Sequence, residues 1–126
     1  MKMKECLFCT IPKPRIILEN TLAYAIYDGF PVTTHHALVI PKRHVLDYFE
    51  LSTEELLACD ALLKQLRLDI LAKDSGVKGF NIGMNAGEAA GQTIFHCHIH
   101  LIPRRVGDVD NPRGGVRHLI PGKGYY

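Results

Sequence analysis

Apolar and polar positions follow two different periods along the chain. Between positions 52 and 76, apolar side chains recur every three or four residues, which predicts one amphipathic helix of roughly twenty residues. Ser52 and Glu55 have the spacing of a capping box at its start, and Gly76 is a natural stop. The residues of the apolar stripe are Leu56, Cys59, Leu63, Leu66 and Ile70.

Five shorter segments have the apolar runs and the alternation of strands. Two of them are separated by three residues and predict a hairpin, one ends at Pro41, and two follow the helix. These segments are 16–18, 22–27, 37–40, 80–85 and 93–102. Because consecutive strands are not separated by helices, the pattern predicts an α+β domain with a meandering sheet rather than a set of βαβ units.

Length and composition narrow the class of protein. The chain has 126 residues, 47% of them hydrophobic, which fits a single domain, with a core at about 5–108 and a basic tail rich in Gly, Pro and Arg at 109–126. The net charge of +2 is too small to indicate a nucleic-acid partner, and no apolar run is long enough for a membrane span. The charged N-terminus leads into no signal-peptide pattern, so a cytoplasmic location is expected.

Three histidines alternate along the last predicted strand, at positions 96, 98 and 100. On a strand they share one face, and a protein core does not readily supply hydrogen-bond partners for three imidazoles in a row. His96 and His100 would stand ~13 Å apart at their Cα atoms, which is too far for both to bind one zinc ion. We therefore expect a functional site in which the three rings have different roles, and an open metal site is the less favoured alternative.

The cysteines do not resemble a disulfide framework. Cys59 and Cys97 fall within predicted core elements, whereas Cys6 and Cys9 form a CxxC pair near the N-terminus. Such a pair supplies half of a zinc site, or it is simply two free thiols at the edge of the core.

The segment 92–102 resembles the signature of the histidine triad (HIT) family, in which histidines alternate with apolar residues. Segments 36–42 and 85–91 and the pair Tyr27-Asp28 are also similar, so that the resemblance covers about residues 5–108. It implies an α+β fold with a five-stranded antiparallel sheet, one long helix and a shorter one, and a homodimer across which the sheet continues. It also implies hydrolysis or transfer at the phosphates of adenosine nucleotide esters and amidates.

The resemblance also implies the catalytic roles. His98 matches the nucleophile of the family, and His100 and His36 match the neighbours that contact the phosphate and the leaving group. An imidazole suits this role because its pKa lies near neutral pH and it needs no activating base.

Further matches imply the purine nucleotide site and a metal site. Asp28 matches the acceptor of both ribose hydroxyls. The polar groups expected around the phosphates are Asn85, Gln92 and Thr93. The apolar slot expected for the base consists of Leu7, Phe8, Ile11 and Ile26. The zinc-bearing branch of the family implies a structural Zn²⁺ held by Cys6, Cys9, His44 and His96.

The third histidine and segment 101–108 resemble the dinucleoside polyphosphate hydrolases, the fragile histidine triad branch. That activity is therefore the expected one. Two alternatives stay open: an adenosine phosphoramidase of the same family, and a nucleotide-binding regulatory module with little turnover.

Overall fold

The computed structural model describes residues 5–126, and residues 1–4 of the charged N-terminal run lie outside that range. One long helix covers one face of a five-stranded antiparallel sheet whose strand order is β1-β2-β3-β5-β4. The strands are β1 (Ile16–Glu19), β2 (Ala23–Tyr27), β3 (Ala37–Pro41), β4 (Val77–Gly83) and β5 (Ile99–Arg105), and the helix is α1 (Thr53–Lys73). This architecture confirms the predicted α+β class.

Helix α1 begins as the sequence predicts. The Glu55 amide donates to the Ser52 hydroxyl at 3.1 Å, and the Ser52 amide donates to the Glu55 carboxylate at 2.9 Å, which completes the capping box. The helix ends at Lys73, three residues before Gly76. Elsewhere in residues 5–126 the helical segments are 3-10 turns of three to five residues, so the expected shorter helix takes the form of such turns.

The two faces of the sheet have different neighbours. Ala25, Val39 and Leu101 point toward α1 and form the larger core with its buried side chains. On the opposite face, Ile26 and Leu38 pack with residues of the N-terminal segment. His100 is the register partner of Leu38, so the polar end of the triad belongs to the face away from the helix.

The last strand differs from its predicted limits. It begins at Ile99 and runs through Pro103 to Arg105, instead of spanning 93–102. Residues 93–98 are irregular because their backbone bonds go elsewhere: the Cys97 amide donates to the carbonyl of Val45 at 2.8 Å. Cys97 and Ile99 are buried as predicted, but His96, expected on the opposite face, is fully buried as well.

The segment 109–126 is ordered and folds on itself. It contains a 3-10 turn, Gly115–Leu119, and the Arg113 carbonyl lies 2.9 Å from the His118 ring. The guanidinium groups of Arg113 and Arg117 both lie over the ring of Tyr126, at 4.9 and 4.7 Å from its centroid. Across residues 5–126, no helix is both long enough and apolar enough to cross a membrane.

Candidate active site and metal centre

A tight loop leads into the triad. Gly87 and Gly91 have φ values of 97° and 92°, a conformation that favours glycine. Gln92 holds this loop, because its side-chain oxygen accepts from the Gly87 amide at 2.9 Å and its amide nitrogen donates to the carbonyls of Leu46 and Ile94. Gln92 is buried with these polar atoms occupied, so it shapes the loop instead of facing a phosphate, which differs from the role implied by the resemblance.

The protonation of His98 follows from its one backbone partner. Its Nδ1 lies 2.8 Å from the carbonyl oxygen of His96. Because a carbonyl only accepts, Nδ1 carries the proton and Nε2 keeps its lone pair. The ring lies edge-on between Phe8 and His100, with centroid distances of 5.0 and 5.3 Å. His98 therefore has the tautomer that a nucleophilic imidazole requires.

A chain of hydrogen bonds fixes the other two catalytic candidates. The Val32 amide donates to Nδ1 of His36 at 3.1 Å, so that ring carries its proton on Nε2. Nε2 of His36 then donates to Nδ1 of His100 at 2.9 Å. The proton of a neutral His100 is then on Nε2. In this pair of histidines, called the relay below, the Nε2–H of His100 is the N–H group that remains available to donate to a substrate.

Burial keeps both relay histidines neutral. It lowers the pKa of His36 despite the nearby carboxylate of Asp28. It also lowers the pKa of His100 to about 4, with a further contribution from the neighbouring His98 ring. The relay is thus uncharged at neutral pH, and it offers a hydrogen-bond donor rather than a positive charge.

Asp28 lies directly after β2, beside this relay. One carboxylate oxygen accepts from the Phe30 amide at 2.9 Å, and the other lies 3.4 Å from Nε2 of His36. The ligand atoms of Asp28, His36 and His100 are within 4.8 Å of one another, which resembles a metal site. However, Nε2 of His36 carries a proton, so these three groups form a hydrogen-bonded unit and not a cation site.

The four predicted zinc ligands converge in a second cluster. Nδ1 of His96 lies 3.3 and 3.5 Å from the sulfurs of Cys6 and Cys9, and Nδ1 of His44 lies 3.3 Å from the Cys9 sulfur. Nε2 of His96 lies 2.8 Å from the carbonyl oxygen of Pro41, so it holds the proton and Nδ1 presents a lone pair to the thiols. All four ligand atoms lie within 4.8 Å of one another, and two thiols with two imidazoles suit tetrahedral zinc.

The residues expected to form the base slot do not form an open pocket. Phe8 and Ile26 are only 4% and 1% exposed, and they pack with Tyr24 and the strands of the sheet. Leu7 is 53% exposed and Ile11 lies at the edge of this cluster. The expected set thus divides into two core residues and two residues on its rim.

A cavity of about 560 Å³ is lined in part by His36 and His100. Asn85, expected near the phosphates, is in its wall, whereas Thr93 is exposed on the loop before the triad. Val32 and Asn81 also line the cavity, although neither was predicted from the sequence. The alternation of Asn81 with Asn85 on one strand face was the available signal for Asn81, and nothing local indicated Val32.

Comparison with known proteins agrees with this geometry. The HIT domain family model matches residues 11–107. The chain is 36% identical over 104 residues to adenosine 5′-monophosphoramidase hnt1 of Schizosaccharomyces pombe, which covers 79% of this chain and 74% of that protein. A Zn-bound histidine triad family protein from Mycobacterium smegmatis superposes with a TM-score of 0.75 at 34% identity, covering 85% of this chain and 80% of the other.

A third relative is the diadenosine triphosphate hydrolase of Plasmodium falciparum. It superposes with a TM-score of 0.69 at 28% identity, covering 80% of this chain and 68% of that chain. Residues 11–107, matched by the family model, include the triad, His36, His44 and helix α1, whereas Cys6 and Cys9 precede them. The chain therefore belongs to the histidine triad (HIT) domain family.

Proposed function

We propose that the protein is a nucleotidyl hydrolase in which Nε2 of His98 attacks the α-phosphorus of an adenosine nucleotide ester or amidate. The observation that carries the proposal is the tautomer of His98: its Nδ1 proton is bound to the His96 carbonyl, so the lone pair on Nε2 is free. His98 is also only partly buried, so a phosphate can reach it.

The reaction has two displacements. In the first, a bond forms between Nε2 and phosphorus, and the bond from phosphorus to the leaving oxygen or nitrogen breaks. The leaving atom keeps the electron pair and takes a proton from solvent. In the second, water attacks phosphorus, the bond to Nε2 breaks, His98 recovers its lone pair, and the proton of the water passes to solvent. The Nε2–H of His100 is positioned to stabilise charge on the phosphoryl oxygen in both steps.

Other residues bind the substrate in this proposal. Asp28 accepts the ribose hydroxyls, while Asn85 and Thr93 contact the phosphates. The carboxylate of Asp28 lies 3.4 Å from Nε2 of His36. The same carboxylate would therefore contact both the ribose and the hydrogen-bonded pair of His36 and His100. Leu7 and Ile11, on the rim of the N-terminal core, provide the apolar contact for the base.

Two substrate classes fit the same chemistry. Dinucleoside polyphosphate hydrolysis is favoured by the third histidine and by the Plasmodium relative, a diadenosine triphosphate hydrolase. Phosphoramidate hydrolysis is favoured by the Schizosaccharomyces relative, a monophosphoramidase, and by the cavity beside His100. The relay and the nucleophile are both complete, which argues against a regulatory module that only binds nucleotide.

In the same proposal, Cys6, Cys9, His44 and His96 hold a structural zinc ion. The metal supplies a rigid link between the N-terminal turn and the triad, and it takes no part in the displacement. The four free thiols of the described chain fit a reducing cytoplasm.

We also propose a homodimer formed along β4. This strand is at the edge of the sheet, and its Ile82 side chain is 56% exposed. A groove of about 600 Å³ beside it is lined by Leu63, Leu71 and Phe80. A second copy that continues the sheet would pair the free edge and cover this apolar surface.

The stereochemistry at phosphorus tests the mechanism. A chiral α-phosphorothioate substrate hydrolysed in labelled water should react with net retention, because two in-line displacements invert the centre twice. His98→Ala should abolish turnover and leave nucleotide binding within a few-fold. His35→Asn is the matched control, because His35 lies outside the relay and asparagine tolerates its φ of 70°. Inversion at phosphorus, or turnover by His98→Ala, would contradict the covalent route.

A further inference from the structure

His36 lies just before the part of β3 that pairs with β5. Ala37 is the first residue of that ladder, and its register partner is Leu101. The carbonyl of His36 accepts from the Asp28 amide at 2.9 Å, so one bond to the end of β2 holds its backbone. The orientation of the His36 ring therefore depends on the turn formed by residues 32–36, which leads into β3.

This turn contains an unfavourable backbone conformation. His35 has a φ of 70°, and among residues 5–126 it is the one residue other than glycine with a positive φ. The turn nevertheless closes, because the His36 amide donates to the Thr33 carbonyl at 3.1 Å. The closed turn brings the Val32 amide to Nδ1 of the His36 ring. A turn with such a residue needs contacts from outside to keep its shape.

Arg105 supplies contacts to the middle of the turn. Its Nη1 donates to the Thr33 hydroxyl at 2.7 Å, and its Nη2 donates to the Thr34 carbonyl at 3.1 Å. A planar guanidinium carries its donors in a fixed fork, so one side chain can hold two points of a turn at once. Arg105 belongs to β5, the strand that also carries His100. One strand therefore carries one relay histidine and holds the turn that presents the other.

Asp74, directly after α1, fixes the guanidinium. Its Oδ2 accepts from Nη2 of Arg105 at 2.7 Å, and its Oδ1 accepts from the Gly76 amide at 3.0 Å. Arg105 lowers the pKa of the Asp74 carboxyl, so the pair is charged at neutral pH. The His35 ring lies 3.8 Å from the same Oδ2, beyond hydrogen-bond range, so this anchor does not depend on it. Because Asp74 compensates the charge of Arg105, a direct contact of Arg105 with a phosphate is disfavoured.

We propose that Arg105, anchored by Asp74, is a positioning residue for the reaction. It holds the turn 32–36 in the shape that keeps Nε2–H of His36 hydrogen-bonded to Nδ1 of His100. The inference rests on the proposed function, in which the Nε2–H of His100 stabilises charge on the phosphoryl oxygen. Without Arg105 the turn relaxes, the two rings separate, and the donor of His100 loses its fixed direction.

The hydrogen bond between the two rings can be observed without a substrate. In the nuclear magnetic resonance spectrum of nitrogen-labelled protein, the wild type should show a coupling between Nε2 of His36 and Nδ1 of His100 across this bond. Arg105→Met keeps an unbranched apolar stem and loses every donor. In this variant the coupling should disappear, and the Nε2 proton of His36 should exchange with water about tenfold faster or more. A coupling that persists in Arg105→Met would overturn the proposal.

Arg43→Met is the matched control. It also removes a guanidinium that lies 2.7 Å from a carboxylate, that of Glu55, but the hydrogen bonds of Arg43 go to Glu50 and Glu55 and not to the turn. Both variants should lose stability, which thermal melting measures, and only Arg105→Met should lose the coupling. Loss of the coupling in both variants would show that it reports stability alone, and it would overturn the proposal.

Kinetics connect the contact to the reaction. With diadenosine triphosphate and with an adenosine phosphoramidate, Arg105→Met should lower kcat about tenfold and leave KM within about twofold, because it displaces the relay and not the substrate contacts. Thr33→Val removes one acceptor of Arg105 and should lower kcat about threefold by itself, with no further effect in the Arg105→Met background. Additive effects of the two substitutions, or an unchanged kcat in Arg105→Met, would overturn the proposal.

The two measurements separate this proposal from the proposed function. If the wild type turns over neither substrate but Arg105→Met loses the coupling, the hydrolase is contradicted and the contact that positions His36 is kept. If the wild type turns over a substrate but Arg105→Met keeps the coupling, the role of Arg105 is overturned and the hydrolase is kept.

Discussion

Phe8 packs edge-on against His98, the proposed nucleophile, with ring centroids 5.0 Å apart and an angle of 66° between the planes. Phe8 belongs to the 3-10 turn Leu7–Cys9, between the two cysteines of the metal cluster. The N-terminal turn therefore contacts the His98 ring directly, and the proposed metal cluster and the candidate active site share this contact.

Substitution of Phe8 should affect both stability and catalysis. Phe8→Ala should lower the free energy of unfolding by about 3–5 kcal/mol, because the side chain is buried. Phe8→Leu should keep most of that stability but lower kcat about tenfold, because the His98 ring loses its lateral support. Denaturant unfolding and steady-state kinetics measure the two effects. A Phe8→Leu enzyme with unchanged kcat would show that the contact does not position His98.

Removal of a cysteine should release the metal. The purified protein should contain about one zinc per chain, and Cys6→Ser should lose it and melt at a lower temperature. The control is Cys59→Ala, which removes another buried thiol from the core under α1 and should cost stability without changing the metal content. Elemental analysis and thermal melting provide both values. The zinc site would be excluded if the purified protein contained no zinc and a chelator left its melting temperature unchanged.

The carboxylate of Asp28 should distinguish ribose from deoxyribose. Asp28→Asn keeps one side-chain oxygen, which accepts from the Phe30 amide. It loses the negative charge and the second oxygen, so it can no longer accept hydrogen bonds from both ribose hydroxyls. We expect KM for ribonucleotide substrates to rise about tenfold or more, and KM for 2′-deoxy analogues to change little. An equal rise for both series would remove the proposed ribose contact and leave only the turn-stabilising role.

The ion pair between Arg43 and Glu55 should give stability with a defined pH dependence. The Arg43 guanidinium lies 2.7 Å from the Glu55 carboxylate and holds the pKa of that carboxyl at about 2, below its usual 4.5. A lowered pKa means that the stabilisation is complete above about pH 4.5 and is lost as the pH falls toward 2.

Arg43→Gln should therefore have a melting temperature several degrees below that of the wild type at pH 7. This difference in melting temperature should decrease between about pH 4.5 and pH 2. Lys64→Gln, which removes an exposed pair with Asp60, is the control and should change the melting temperature less. A gap of constant size down to pH 2 would show that the ion pair does not produce the stabilisation.

Strand β4, at the edge of the sheet, should form the contact of the proposed homodimer. Light scattering should give a mass of twice the 14.1 kDa chain. Ile82→Asp places a charge on the exposed edge of β4 and should shift the protein toward monomer. Val106→Asp changes a side chain that is 91% exposed after β5 and should leave the mass unchanged. A monomeric wild type at micromolar concentration would contradict the proposed dimer.

Local sequence signals predicted those parts of the fold that local interactions determine. The capping box predicted the start of α1 correctly, and the spacing of Cys59, Leu66 and Ile70 predicted its buried face, while its end lies three residues before Gly76. The alternation around His98 correctly predicted that Cys97 and Ile99 are buried, but it did not predict the burial of His96, and residues 93–98 are not a strand. It misled about the backbone because the Val45 carbonyl, a distant partner, takes the amide of Cys97.

Contacts between distant segments limited the prediction of the site. Phe8 and Ile26 were expected to contact a base, but the packing of the N-terminal turn on the sheet buries both. Gln92 was expected at the phosphates, but its partners include Leu46, far away in the sequence. Val116 and Leu119, which line the cavity beside His100, belong to a segment without a periodic pattern, because their position depends on how residues 109–126 fold on themselves.

His96 faces two ways. Its ring lies among the thiols, while its carbonyl oxygen fixes the tautomer of His98. The carbonyl of residue 96 belongs to the backbone, so it is present whatever side chain stands at that position. Substitution of the His96 side chain would therefore remove one proposed metal ligand, while the carbonyl that binds Nδ1 of His98 stays in place. The proposed metal site and the tautomer of the proposed nucleophile are therefore separable, although both depend on residue 96.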